Sequence, residues 1–404
     1  MTVEIFPGRA GGTVTVPPSK SIAHRYLVAA ALASGESRLI GIPSSADVAA
    51  TCDALRALGA DIRVTGDTAV VRGGKPLSPA GELACRESGT TLRFLLPLCL
   101  TGGKEATLTG TPKLISRPLG VYADLAREAG FRFIREHDRV TVSGTLTPGE
   151  YQIPGNISSQ FASGLAFALS CLAGDSTLEL TGEIESRPYL DLTLDAMRAF
   201  GVPAAWAGER TLRIPGGRRY QAGTHTVEGD WSSAAFWEAL AALGDPVTLA
   251  GVSAETLQGD RICRAYFAAM VADTPTLSVR DCPDLAPILM VVAALCHGAT
   301  LTDTARLRLK ESNRGQVMAQ ELAKCGVRVR QEENSITIPA GTFHAPCEPL
   351  FGHNDHRVVM ALSVLLTRLG GVISGAEAVS KSYPAFFDDL ASLGISLETE
   401  VRNA

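Results

Sequence analysis

The chain has 404 residues, enough for two or three domains of ordinary size. With 46% hydrophobic and 20% charged residues it has the balance of a folded protein, which excludes a disordered or collagen-like majority. Lys plus Arg number 37 against 42 Asp plus Glu; a net charge of -5 offers no chain-wide basic field for nucleic acid or an anionic membrane, so any anion site has to be local.

The longest apolar run, residues 285–296, falls well short of the roughly twenty residues that a bilayer crossing needs. The opening stretch MTVEIFPGRAGG has no charged region followed by an apolar one, so no signal peptide and a cytoplasmic protein are expected. Nine cysteines are an odd, scattered set, and Cys99, Cys171 and Cys296 sit inside apolar helical patterns, so free buried thiols are expected.

In chain order, two kinds of helix alternate. The first kind is apolar on nearly every side, opens on Ser, Thr or Asp and leads into a strand. It starts near Ser19, Ser88, Ser158, Asp230, Pro283 and Asp355. The second kind is amphipathic, ends in Gly and runs into two short strands joined by a turn. It starts near Asp47, Tyr122, Leu190, Arg314 and, shortened, Tyr383, with a degenerate copy near Arg264. The pattern recurs six times, which suits a compact α/β unit and suggests two lobes of three units, with a boundary near Val227. The apolar helices should be buried and the amphipathic ones half exposed.

The starts of the apolar helices carry more polar groups than a cap needs. Ser21 and Arg25 are four apart on one helical face with Lys20 at the mouth, which fits either a capped helix with solvated cations or an anion pocket. Ser158, Ser159 and Gln160 share one first turn, as neutral groups for a hydroxylated ligand or as plain capping. Gly89 stands beside Thr90 and Arg93, either for close backbone approach to a ligand or for a turn. Lys310 and Arg314 are four apart with Glu311 between them, an ion-paired helix start or part of a site. Asp284 opens the most apolar helix as an N-cap or a tuned acid or base. His353 and His356 have HxxH spacing without a recognisable third ligand, so capping or anion binding is preferred to a metal, and Arg357 is the more telling neighbour.

Together these residues resemble the 5-enolpyruvylshikimate-3-phosphate (EPSP) synthase family. Its P-S-K-S-x-x-x-R signature stands as Pro18 to Arg25, its R-P as Arg117-Pro118 and its S-S-Q as Ser158 to Gln160. Its P-Y stretch stands as Ser186 to Tyr189, its P-D as Pro283-Asp284 and its K-E-S-x-R as Lys310 to Arg314. Its D-H-R stands as Asp355 to Arg357 and its K-S-Y-P as Lys381 to Pro384. The resemblance implies a two-lobed inverse α/β fold with three βαβαββ units per lobe. The lobes would be residues 18–226, and 1–17 plus 227–404, with the active site in the interlobe cleft. It implies transfer of the enolpyruvyl group of phosphoenolpyruvate to the 5-hydroxyl of shikimate 3-phosphate in aromatic amino-acid biosynthesis, by a monomer without metal or cofactor.

By the same resemblance Lys20, Gly89, Arg117, Gln160, Arg314, Arg357 and Lys381 hold phosphoenolpyruvate. Lys20, Ser21, Arg25, Ser158, Ser159, Gln160, Ser186, Tyr189, Asp284 and Lys310 hold shikimate 3-phosphate. Two phosphates and two carboxylates bring roughly five negative charges, which the cations at these positions would match. The expected chemistry is addition then elimination, with Glu311 as acid, Asp284 as base and Lys310 assisting.

Three segments depart from the usual family pattern: Arg86-Glu87-Ser88-Gly89-Thr90 stands for G-N-[AS]-G-T, Asn313 for an Asp before Arg314, and Arg306 where some members carry Asn. Gly89 suggests room for glyphosate. The sister transferase acting on UDP-N-acetylglucosamine is the nearest alternative, but residues 111–124 lack the Cys of its mobile loop. A non-catalytic anion-binding protein would have no reason to keep both Asp284 and Glu311.

Overall fold

The computed structural model describes residues 1–74, 79, 81–341 and 343–400. The chain divides into two compact units, Pro18–Glu228 and Met1–Pro17 with Gly229–Ala404.

The unit Pro18–Glu228 is built on three apolar helices, Lys20–Leu32, Gly89–Cys99 and Ser159–Ser170, each buried on most of its surface. Their openings are set locally. The Ser88 side chain accepts from Thr91 N and that of Ser158 from Gln160 N, each answering one of the free donors of a first turn. Helices Gly89–Cys99 and Ser159–Ser170 pack closely at Gly164, where a Cβ would come within 2.2 Å of the Arg93 carbonyl. That contact places Gln160 beside Arg93. The second kind of helix behaves as its pattern requires: Gly120–Ala129 buries Val121, Tyr122, Leu125 and Ala126, exposes Asp124, Arg127 and Glu128, and ends on Gly130 at φ 77°.

The unit containing both termini repeats this plan around Trp231–Ala242, Ala286–Leu295 and His356–Leu369. Its N-terminal strand Thr2–Ile5 lies between Gly371–Ser374 and Leu397–Glu400, antiparallel to both.

Among the described residues, five of the six sheets share one design, a parallel pair of strands followed by two antiparallel strands; the last two form a hairpin in four of them and are Thr2–Ile5 and Leu397–Glu400 in the fifth. The sheet made by Thr276–Ser278, Gly298–Thr302, Ser335–Pro339 and Arg330–Gln331 is an example. The sixth has only Gly12–Thr15 and Val247–Ala250, paired in parallel. Helix Cys263–Ala272 should lead into its hairpin, but the chain passes instead through Asp273 and Pro275 to Thr276–Ser278, the edge strand of the next sheet. The degenerate copy near Arg264 is therefore a repeat without its hairpin.

Three readings need correction. Cys171 caps the end of helix Ser159–Ser170 and is exposed, and Cys296 caps Ala286–Leu295 and is half-buried, whereas Cys99 is buried as expected. Lys310 and Arg314 do not share a helix, because Lys310 has extended backbone and the helix starts at Arg314 after the Asn313 cap. Asp284 is not an N-cap: it lies in the 3-10 turn Pro283–Leu285 and makes no capping hydrogen bond.

Candidate active site

In the unit Pro18–Glu228 the expected residues gather at the openings of the apolar helices. Arg25 is buried, and its donors reach only neutral oxygens: Thr193 Oγ1 at 2.8 Å, the Ser21 carbonyl at 2.7 Å and the Tyr189 carbonyl at 2.8 Å. The guanidinium lies 5.2 Å from the Phe94 ring centroid, and burial pulls its pKa down to about 10. A buried cation held only by neutral groups is stabilised by an incoming anion. Lys20 differs, since its Nζ is 2.9 Å from Asp47 Oδ2 in the first turn of helix Ala46–Ala57.

Gln160 joins two helices. Its Oε1 accepts from Arg93 Nη1 at 2.7 Å and its Nε2 donates to Thr90 Oγ1 at 2.8 Å. Gly89 opens helix Gly89–Cys99 directly beneath two guanidinium groups, for a Cβ there would lie 2.9 Å from both Arg117 Nη1 and Arg93 Nη1. Ser186 is buried in the left-handed region at φ 58° just before helix Arg187–Ala199, a conformation uncommon for a residue with a side chain. Arg93 and Asp47 are polar members of this cluster to which the sequence assigned no role.

The second cluster lies in the other unit and is ionic. Arg314 is 1% exposed at its side chain and bridges three acids: Asp284 Oδ1 at 2.7 Å, Glu311 Oε2 at 2.8 Å and Asp355 Oδ2 at 2.9 Å. Lys310 Nζ is 3.2 Å from the same Asp284 oxygen. Burial works against ionisation of Asp284, but Lys310, Arg314 and Arg357 outweigh it and hold its pKa well below the usual carboxylate range.

Asp355 caps helix His356–Leu369, accepting from Arg357 N and from the Ser312 hydroxyl. Arg357 is 2% exposed and lies 3.8 Å from Asp230 and 3.9 Å from Asp284, yet its Nε and Nη1 are buried without a hydrogen-bond partner. Two unmatched donors on a buried guanidinium form a ready receptor for a phosphate or carboxylate. Lys381 closes the 3-10 helix Ala376–Lys381 and donates to the Asn354 carbonyl at 2.8 Å, next to that helix start.

His353 Nε2 lies 2.7 Å from Glu321 Oε1, and no cluster of metal-ligating side chains occurs among the described residues. Arg306 is buried and donates to the Arg280 carbonyl at 2.7 Å. No helix among the described residues is long and apolar enough to cross a membrane.

A family model described as EPSP synthase (3-phosphoshikimate 1-carboxyvinyltransferase) matches residues 6–390. The chain belongs to the EPSP synthase family. Among curated relatives, a 3-phosphoshikimate 1-carboxyvinyltransferase of Clostridium kluyveri is 39% identical over 97% of this chain and 97% of its own. One of Clostridium acetobutylicum is 36% identical, with the same shares covered. The solved EPSP synthase of Acinetobacter baumannii superposes with a TM-score of 0.79 at 25% identity, covering 98% of this chain and 99% of that one. The mixed α/β architecture expected from the repeats is thus that of EPSP synthases.

For an EPSP synthase, the spacing around Gly89 has a direct consequence. In Gly89→Ala the new methyl must displace Arg117, Arg93 or both by several tenths of an ångström. We expect the KM for phosphoenolpyruvate to rise about tenfold, the cost of one weakened charge-assisted contact, with a much smaller change in the KM for the co-substrate. Steady-state titrations of both substrates would measure the two values.

Proposed function

We propose that the protein transfers the enolpyruvyl group of phosphoenolpyruvate to the 5-hydroxyl of shikimate 3-phosphate, releasing phosphate. The two units are taken as the family's two lobes, and the polar clusters of both serve this one substrate pair. The observation that carries the reading is Arg357, a buried guanidinium with open donors beside an acid and a lysine. In this reading Lys20, Gly89, Arg117, Gln160, Arg314, Arg357 and Lys381 hold phosphoenolpyruvate. Ser21, Arg25, Ser158, Ser159, Ser186 and Tyr189, joined by Lys20, Gln160, Asp284 and Lys310, hold shikimate 3-phosphate.

The reaction is an addition followed by an elimination. In the first step the 5-hydroxyl oxygen bonds to the phosphate-bearing carbon of phosphoenolpyruvate, Asp284 accepts the hydroxyl proton and Glu311 gives a proton to the methylene. In the second, Glu311 takes a proton back from the new methyl group, the double bond reforms, and the carbon–oxygen bond to phosphate breaks, phosphate leaving with the proton that Asp284 held. Asp284 is kept ionised but weakly basic by three cations. Substrate anions pairing with Lys310 and Arg357 draw those charges away, so its basicity rises when the hydroxyl arrives.

The test is phosphate release from phosphoenolpyruvate with shikimate 3-phosphate, with UDP-N-acetylglucosamine, and with neither. Release is expected with shikimate 3-phosphate alone. Release only with the nucleotide sugar would overturn the reading in favour of the sister transferase, and no release in any arm would leave an anion-binding protein.

A further inference from the structure

The signature segment Pro18 to Arg25 contains one titratable side chain to which the mechanism gives no work. His24 stands four residues after Lys20 on helix Lys20–Leu32 and is buried. It meets helix Ala46–Ala57, which supplies no group to either substrate. The two helices are joined twice, one turn apart: Lys20 Nζ lies 2.9 Å from Asp47 Oδ2, and His24 Nδ1 lies 2.7 Å from Thr51 Oγ1. Thr51 also reaches helix Gly89–Cys99, its Oγ1 lying 2.6 Å from Thr91 Oγ1. The Thr91 hydroxyl in turn donates to Ser88 Oγ at 2.7 Å, the oxygen that caps this helix by accepting from Thr91 N. A line of four side chains thus runs from the helix that begins with Lys20 to the residue before Gly89.

The direction of the line follows from counting protons. A hydroxyl has one hydrogen, and a neutral imidazole has one N–H. The hydrogen of Thr91 goes to Ser88, so Thr51 must donate to Thr91. With its own hydrogen committed, Thr51 can only accept from His24, which therefore carries its proton on Nδ1. The other ring nitrogen, Nε2, is buried with no hydrogen-bond partner among the described residues, so a proton there would face no acceptor. Burial, then the charges of Lys20 and Arg25, hold the pKa of His24 well below the ordinary histidine range, and the ring stays neutral. All four side chains are at most 1% exposed, so the line is not shared with bulk water. Apolar contacts would pack these helices equally well, but directional bonds that are all satisfied fix one register between them.

We propose that Thr51 is a positioning residue for phosphoenolpyruvate. Through His24 and Thr91 it fixes the opening of the helix that bears Lys20 against the opening at Gly89, above which Arg93 and Arg117 stand. Without its hydroxyl, the Nδ1–H of His24 loses its acceptor and Thr91 Oγ1 loses its donor, and relieving that loss moves one opening against the other. The inference rests on the reading of Lys20 and Gly89 as phosphoenolpyruvate-binding groups.

The experiment measures kcat and both KM values of the full-length protein, Thr51→Val and Thr51→Ser, together with the 15N-histidine spectrum of each. Val has the shape of Thr without the hydroxyl. In Thr51→Val the KM for phosphoenolpyruvate should rise about tenfold, the worth of one misplaced charge-assisted contact, with a smaller rise for shikimate 3-phosphate and kcat within about twofold. Thr51→Ser keeps the hydroxyl and should keep the wild-type values. The His24 signal, identified by its loss in His24→Asn, should show the Nδ1-protonated ring in wild type and in Thr51→Ser. An unchanged KM for phosphoenolpyruvate in Thr51→Val overturns the proposal, as does a lower apparent kcat with both KM values unchanged, the mark of a merely destabilised protein. So does an equal rise in both KM values, since Gly89 serves phosphoenolpyruvate alone, and so does a wild-type His24 protonated on Nε2. Should Thr51→Val not fold, Thr91→Val breaks the same line from the other side and is judged by the same values. Turnover by wild type with an unmoved KM in the variant sinks this inference alone, whereas no turnover by wild type with shikimate 3-phosphate sinks the reading it rests on.

Discussion

Replacing Arg314 by Ala should lower the unfolding free energy at neutral pH by about 3–5 kcal/mol, the usual cost of leaving buried charges without their partner. The side chain is almost fully enclosed and touches Asp284, Glu311 and Asp355 together, so its removal takes a cation from three acids at once. Denaturant titration would give the value, and its pH dependence gives the cause. Asp284 has a folded pKa below its unfolded one, so its contribution is present above the ordinary carboxylate range and disappears as pH falls through the folded value. The gap between wild type and Arg314→Ala should therefore be widest near neutrality and narrow in acid. A gap constant from pH 7 down to pH 3 would mean that Arg314 acts through packing instead. Arg314→Lys should fall between the two, because a single ammonium cannot present a guanidinium's divergent donors.

Asp284→Asn and Glu311→Gln should each lower kcat by about two to four orders of magnitude, the range for loss of a positioned acid or base. The substitutions keep size and hydrogen-bonding reach, so the KM values should move far less than kcat. The pair can be told apart by following solvent deuterium into the methylene of phosphoenolpyruvate in the presence of the co-substrate. Glu311→Gln should abolish the exchange if Glu311 is the donor, and continued exchange would remove it from that role. Near-normal turnover in Asp284→Ala would likewise remove Asp284 as the base.

The repeats were readable because each joins a fully apolar helix to an amphipathic one, and those patterns depend on neighbours within a few residues. Ser88, Ser158 and Asp355 could be recognised as helix openings for the same reason, and all three cap. The role of Asp284 was not legible locally: its conformation is a 3-10 turn and its partners stand 26 and 30 residues away. Lys310 misled because a spacing of four suggests one helical face, while Asn313 starts the helix three residues later. Asp47 carries no sequence signal beyond that of an ordinary acid near a helix start; only its pairing with Lys20, from another helix, singles it out. The missing hairpin did leave a trace, since Asp273-Thr274-Pro275 stands where the other copies have Gly and a second strand.

The place of strand Thr2–Ile5 between Gly371–Ser374 and Leu397–Glu400 bears on how the protein is made. On the ribosome, Thr2–Ile5 must wait for Gly371–Ser374 and Leu397–Glu400 to be made before their sheet can close. The unbroken stretch Pro18–Glu228 has all its strand partners within itself and can complete its core while the remainder is still being synthesised. Vectorial synthesis thus imposes an order: the inserted unit matures first, and the unit built from the segments on either side of it closes only after Leu397–Glu400 has been made.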